Sequence, residues 1–443
     1  MAHTDGLPAG ARRALCDPDV WVYAWEDRET DAQGWIAIEA DAQMDPIGGG
    51  GLFVSATATE NEVVDVAKSM GHKLRVSCVS GVVRGAKGGI RYDPAAPNVL
   101  DVIGRFMRDN APVICKAWAT GPDLNTDHDT LDSLAQKHLG IPNCLHALSV
   151  RYPQAQPERM LHLLGGPTPD IEFGIAEASV GYGVACALAR LAPRGSLEGL
   201  RVAIQGFGAV GSTFATYAQS MGASVVAIAD RDRFLVAPQG LNINALVAHR
   251  QRTAPKSTLL IDCLQQGIGE PSASETGPSS GAIVMRGAKE SDEAWLVRFL
   301  ETCPEIDVFA PCAQRYVMTP ATMDALARAT SSSSDPAAKR RRAYIACGAN
   351  NITKTPDLLK TFLNKHDIWT VPEWVSNAGT ACLFMEACTS APPDDCSFGT
   401  VLDTIGERVA AFVDRAKGLT GAEDGGEARP SDLLDACMAV AHC

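Results

Sequence analysis

No apolar run in this chain approaches the roughly 18 residues that a membrane span requires. The opening residues, MAHTDGLPAGARRALCDPDV, lack the apolar stretch that heads a secreted protein. Cysteine pairs are missing too. There are 14 cysteines, but none stands in a CxxC spacing, so they read as thiols in a reducing compartment. Cys78, Cys115, Cys186, Cys263 and Cys382 sit in apolar settings, where Cys behaves as a small hydrophobe. The nine histidines form no HExxH and no short-spaced pair, so no metal is expected. Positive charge is also short: 39 Lys and Arg against 52 Asp and Glu leave a net charge of −13. An acidic surface repels phosphate backbones, so the expectation is a cytoplasmic protein with no nucleic-acid and no membrane partner.

What is present is ordinary for a globular protein: 46% apolar and 21% charged residues. A length of 443 residues allows two or three domains, each with its own core, and disorder as the main state is excluded. WVYAWED at 21–27 and GWIAIEA at 34–40 alternate as strands. A helix over 60–73 places Val63, Val64, Ala67 and Met70 on one stripe, and GVVRGAKGGIRYDP after it is too rich in glycine to continue the helix. PVICKAWA at 112–119 reads as a strand entering the turn TGPDLNT. From about 172 a long helix of small residues leads to RVAIQGFGAVGSTFATYAQSMGASVVAIAD, a βαβ unit of the expected length. Strands at 307–311, 343–348 and 367–372 alternate with helices and argue for a parallel sheet. The polar stretches 268–282 and 330–338, and the KRRR run at 339–342, read as surface loops.

The strongest motif is QGFGAVG, because it lies between a strand and an alanine-rich helix. Gly206 allows the tight turn, Gly208 lets a pyrophosphate approach the backbone, and Gly211 lets helix and strand pack closely. The helix start at Ala209 and Val210 offers N–H groups to the phosphates. Asp230 ends the second strand 19 residues after Gly211, where its carboxylate can hold the adenosine ribose. It would repel a 2′-phosphate, which favours NAD; Arg231 and Arg233 follow at once and keep NADP as the alternative. Two weaker signals precede this unit. Lys87 stands in GAKGG, read as a turn of little bulk in which a lysine can be desolvated and its pKa lowered. Asp123 stands in TGPDLNT, where a turn or helix-cap role is the plain alternative.

The order GAKGG, then PDLNT about 36 residues on, then the βαβ unit, then GANN at 348–351 and SNAGT at 376–380, resembles the glutamate, leucine, phenylalanine and valine dehydrogenase family. The resemblance covers roughly residues 35–390, and TGPDLNT looks most like the phenylalanine dehydrogenase branch. It implies that Lys87 is the catalytic lysine, that Asp123 is the general acid/base, and that Asn350 and Asn377 lie by the cofactor, Asn350 also by the substrate. The family's lysine for the substrate α-carboxylate, 12 residues before the catalytic one, corresponds to Arg75. The lysine with which glutamate dehydrogenases hold the distal carboxylate corresponds to Gly48, and an alanine two before the catalytic Asp corresponds to Gly121. Both changes remove bulk or charge. The family's threonine beside the nicotinamide amide falls at Ser179 or Val180.

The expected fold is α/β with two domains: an N-terminal substrate and oligomerisation domain with a mixed sheet, and a Rossmann dinucleotide-binding domain. The expected bounds are 1–183, 184–372, and 373–443 as C-terminal helices returning to the first domain. The expected activity is NAD-dependent oxidative deamination of a bulky uncharged L-amino acid to its 2-oxo acid and ammonia, and the reverse, by a homo-oligomer. The alternatives are an NAD(P)H-dependent reductase of an imine or oxo acid in specialised biosynthesis, and a ligand-binding paralogue without turnover.

Overall fold

A computed structural model of the protein describes residues 10–40, 47–77, 83–152, 174–252, 282–330, 342–389, 398–420 and 428–442. The chain divides into two compact units, Met1–Leu163 with Ala381–Cys396, and Leu164–Thr380 with Ser397–Cys443. Cys78, Cys263, nearly all of the expected surface loops, and the first three residues of KRRR fall outside the described residues.

In the first unit, β1 (Arg12–Arg13), β2 (Val20–Glu26), β3 (Gln33–Glu39), β6 (Arg84–Arg91), β4 (Gly48–Gly49) and β7 (Trp118–Ala119) lie in that order, with β5 (Leu52–Ser55) also on β6. The β1/β2, β2/β3 and β3/β6 pairs are antiparallel, whereas β4 and β5 join β6 in parallel, so the sheet is mixed. One face is covered by α1 (Glu60–Val76), which buries Val63, Val64 and Ala67 against Val20, Val22, Ala37 and Phe53. Thr59 caps that helix by accepting the Glu62 N–H, and Glu60 and Glu62 at its start, with Lys73 and Arg75 at its end, complement the helix dipole. The other face carries α2 (Val99–Asp109), α3 (Ala111–Ile114), α4 (His128–Leu139) and α5 (His146–Arg151) over Ile36, Ile38, Leu52, Ala86 and Trp118. The expected strand at 112–119 is strand only at its last two residues. Pro112 lies in the first turn of α3, where its missing N–H costs no hydrogen bond.

GAKGG is likewise no turn. It is the middle of β6, and its glycines are there for close approach: a Cβ at Gly85 would lie 2.2 Å from Ala67 O of α1, and one at Gly88 would lie 2.3 Å from the Trp118 ring.

In the second unit the sheet order is β11 (Ala282–Met285), β10 (Arg233–Val236), β9 (Ser224–Ala229), β8 (Arg201–Gln205), β12 (Val308–Pro311), β13 (Ala343–Ile345), β14 (Ile368–Trp369). The five strands β9, β8, β12, β13 and β14 are parallel, as expected. At the other edge β10 is antiparallel to β9, because the three-residue reversal at 230–232 is far too short for a parallel crossover, and β11 is antiparallel to β10. Its helices are α6 (Ile175–Leu191), α7 (Ala209–Ser220), α8 (Ile243–Arg252), α9 (Asp292–Thr302), α10 (Pro320–Ala329), α11 (Pro356–His366), α12 (Glu373–Ser376), α13 (Gly379–Thr389, which runs on into the first unit), α14 (Phe398–Leu419) and α15 (Pro430–His442).

The compact units part at 163/164 rather than at the expected 183/184, and α6 lies along α7 so closely that a Cβ at Gly181 would meet Thr213 Oγ1 at 2.1 Å. Of the described C-terminal residues, 381–389 belong to the first unit. Helix α14 packs on α6, where Arg190 grips Asp414 with two 2.5 Å bonds, and α15 docks on α11 through reciprocal Asn364 and Ser431 bonds of 2.9 and 3.0 Å.

Candidate active site

The chemistry-bearing side chains of the first unit meet on β6 and the turn after β7. Lys87 pairs across the ladder with Ala37, and its side chain is only 5% exposed. Its Nζ donates to Oδ2 of Asp123. Asp123 belongs to a turn clasped along β5. Leu52 N–H donates to Gly121 O at 2.9 Å, Val54 N–H to Leu124 O at 3.1 Å, Asn125 Nδ2 to Val54 O at 2.9 Å, and Thr126 Oγ1 to Leu52 O at 2.7 Å. Asn125 has the left-handed φ of 63° that lets the turn close, and the Asp123 N–H donates to Thr126 Oγ1 at 2.9 Å. A lysine and an aspartate 36 residues apart are thus brought into contact by strand register, so that a proton can pass between them.

Arg75 is not a free cation at the helix end. Its Nη2 donates to both oxygens of Glu39, at 3.2 and 3.1 Å, and Glu39 Oε2 also accepts the Gly85 N–H at 3.1 Å. Sequence reasoning missed Glu39; it ends an alternating strand, where an acid ordinarily faces water. Gly121 has room beside it: among the described residues the one atom within 4 Å of a Cβ there would be His128 Cε1, at 3.8 Å. Gly48 has none. A Cβ at Gly48 would stand 2.5 Å from Ala86 Cβ, because Gly48 is wedged between β6 and β7, so it packs closely inside the sheet.

In the second unit each glycine of QGFGAVG has a distinct environment. Gly206 has φ +93° and donates its N–H to Ala229 O at 2.7 Å, making the turn. Gly208 precedes the first turn of α7, and a Cβ there would touch nothing within 4 Å among the described residues, so the space above it is open to them. A Cβ at Gly211 would lie 1.9 Å from Gly206 O, so helix and turn are in backbone contact. Ala209 and Val210 open α7, whose first N–H groups have no partner inside the helix. Asp230 follows β9. Burial pushes its carboxyl above the ordinary carboxylate range, while the Arg231 N–H, donating to Oδ1 at 2.8 Å, opposes this. Arg231 is exposed and Arg233 half-buried. This open, left-handed glycine turn at a helix start, with an acid at the next strand end, fits a dinucleotide.

Asn350 and Asn377 come together at the carboxyl end of β13. Asn377 Nδ2 donates to Asn350 Oδ1 at 2.8 Å and to Gly348 O at 3.2 Å. The same loop is held by Ser376 Oγ, donating to Cys347 O at 2.5 Å, and by Glu373 Oε1, which accepts the Asn351 N–H at 3.1 Å. SNAGT therefore serves to brace GANN, and Glu373 is a second residue that sequence reasoning missed. Ser179 is fully buried and bonded to Ala176 O and Thr380 Oγ1, both at 2.8 Å, so it belongs to the packing of α6; Val180 is half-buried. Among the described residues no cluster of three His, Cys, Asp or Glu side chains could hold a metal ion.

Residues 174–391 match the model of the glutamate/leucine/phenylalanine/valine dehydrogenase family. That segment is just under half of the chain and is what resembles this family. The matched segment carries the glycine turn, Asn350 and Asn377, while Lys87 and Asp123 precede it. Among similar sequences, the NADP-specific glutamate dehydrogenase of Saccharolobus shibatae is 26% identical over 216 residues, 46% of each chain. The glutamate dehydrogenase of Aeropyrum pernix is 29% identical over 244 residues, 51% of this chain and 54% of the other. The NAD-specific glutamate dehydrogenase of Staphylococcus aureus is 28% identical over 213 residues, 45% of this chain and 46% of the other. The chain thus spans about half the length of the curated relatives it matches. Likeness of fold extends further. The hetero-hexameric glutamate dehydrogenase of Thermus thermophilus superposes with a TM-score of 0.63 at 20% identity, over 95% of this chain and 88% of that one. Glutamate dehydrogenase 2 of Plasmodium falciparum gives 0.64 at 13% identity, over 96% and 83%.

Proposed function

We propose that the protein is an NAD-dependent L-amino-acid dehydrogenase, with NADP as the alternative cofactor, acting on a bulky uncharged amino acid as a soluble homo-oligomer. The observation that carries this reading is the contact of buried Lys87 with Asp123 in the same chain as an open dinucleotide-type glycine turn. Gly206, Gly208, Gly211 and the start of α7 would hold the pyrophosphate, Asp230 the adenosine ribose, and Asn350 and Asn377 the nicotinamide end. The bound cofactor supplies the acceptor for the two electrons and hydrogen that leave Cα. The remaining work falls to the chain's own groups. Arg75 holds the substrate carboxylate, and Asp123 takes the proton of the substrate amino group. Water then adds to the iminium carbon and releases one proton to solvent; the Lys87 ammonium steadies the charge on the added oxygen, Asp123 returns its proton to the nitrogen, and the remaining hydroxyl proton leaves with ammonia as ammonium.

The preference for an uncharged side chain rests on the room beside Gly121, where the neighbouring described atom is on the His128 ring, and on glycine in place of lysine at position 48. A distal carboxylate there would be buried unpaired at a cost of several kcal/mol. The test is a screen of amino acids with NAD and NADP, read at the nicotinamide absorbance. Phenylalanine-sized or long aliphatic substrates should exceed glutamate in kcat/KM, and Lys87→Ala and Asp123→Asn should each lose at least about a hundredfold in kcat with NADH affinity unchanged. Glutamate as the best substrate, or a variant within a few-fold of the parent, would refute the assignment.

A further inference from the structure

Glu39 has no part in the reaction just described, yet it is built into the site. Its carboxylate is held by both Nη2 contacts of Arg75 and by the Gly85 N–H. It fills a notch that exists because residue 71 is glycine: a Cβ there would lie 2.1 Å from Glu39 Oε2. Glu39 follows Ile38, the partner of Ala86, and so stands beside Gly85, two residues before Lys87 on the face covered by α1. Among the described residues, Lys87 and Arg75 are thus each matched by a carboxylate, Asp123 and Glu39. What Arg75 still offers is Nη1, which is buried and has no hydrogen-bond partner among the described residues. A single N–H edge whose charge is already balanced can bond to a neutral carbonyl oxygen nearly as well as to a carboxylate, because the Coulomb gain that favours the anion is cancelled by Glu39 at similar range.

We propose that Glu39 is the specificity-determining residue for the substrate head, and that by neutralising Arg75 it lets the site accept a 2-oxo amide with an affinity close to that of the 2-oxo acid. This rests on the reading that Arg75 holds the substrate head. Glu39→Gln keeps an oxygen for the Gly85 N–H and removes the charge. The experiment is isothermal calorimetry of the full chain saturated with NADH, titrated with phenylpyruvate and, separately, with phenylpyruvamide. The parent should bind the two within a few-fold. E39Q should bind phenylpyruvate about tenfold tighter or better, with phenylpyruvamide changed less than twofold, since only the anion feels the lost charge. A group that merely props up the fold would weaken both probes together.

A parent that binds phenylpyruvate more than about a hundredfold tighter than the amide overturns the proposal without any variant. So does an E39Q protein that binds NADH normally but gains nothing for phenylpyruvate. A parent that binds both probes but oxidises no amino acid with NAD or NADP overturns the dehydrogenase reading instead.

Discussion

Substituting Gly208 and Gly211 separately distinguishes a glycine kept for a ligand from one kept for the fold. At Gly208 the backbone has φ −78° and ψ −158°, open to any L-residue, and an added methyl meets no atom of the described residues within 4 Å. Gly208→Ala should gain up to about 1 kcal/mol from the unfolded chain and lose a few tenths at the helix cap, leaving the melting temperature within about 2 °C of the parent. At Gly211 the methyl would sit 1.9 Å from Gly206 O and 2.9 Å from Gly206 C, both backbone atoms that cannot rotate aside. Helix α7 must move, at a cost of about 1 to 3 kcal/mol, or roughly 3 to 10 °C. NADH affinity, followed by nicotinamide fluorescence, should fall in both. In Gly208→Ala it should fall at least about tenfold, or 1.4 kcal/mol, with no thermal penalty. A Gly208→Ala protein that binds NADH within twofold of the parent would show that no pyrophosphate lies against this turn, and the cofactor assignment would fail.

Three further outcomes are expected. Hydrogen bonding to Arg105 holds the Asp27 carboxyl at about 2, with bonds of 2.8 and 2.7 Å. This folded-state value lies below the unfolded one, so the pair's contribution of about 2 kcal/mol should be complete above roughly pH 5 and lost as pH falls toward 2. Arg105→Met should accordingly shift acid unfolding to higher pH in a circular-dichroism titration. Burial raises the Asp230 carboxyl, so the folded apo protein binds that proton more tightly than the unfolded chain and loses stability as pH rises from about 4 through the raised value. Asp230→Asn should therefore raise the apo melting temperature at pH 7 and shift preference from NADH toward NADPH; a drop in both would refute the assignment. Gly48→Lys should lower the melting temperature by several degrees and confer no glutamate oxidation, because its Cβ meets Ala86 at 2.5 Å. Recovery of glutamate activity would return position 48 to the pocket.

The glycine turn was legible because each of its residues acts within a few positions of itself: Gly206 closes onto Ala229, Gly211 onto Gly206, and Gly208 onto open space. Strands 20–26 and 33–39 and helix 60–76 were legible for the same reason, since alternation and helical spacing are local records of burial. Local pattern says nothing of which distant residue lies opposite. GAKGG reads as a turn by its composition, and only the packing of α1, Phe53 and Trp118 against β6 explains its glycines. Gly48 reads in sequence as a vacated lysine position, and only the fold shows how tightly it lies between strands. The antiparallel edge of the second sheet, the helices α6, α14 and α15 in the second unit, the clasp of Glu373 on Asn351 and the capture of Arg75 by Glu39 all join residues far apart in the chain. Such pairings are decided by strand register and helix packing, in which a one-residue shift would turn Lys87 away from Asp123 and Glu39 away from Arg75.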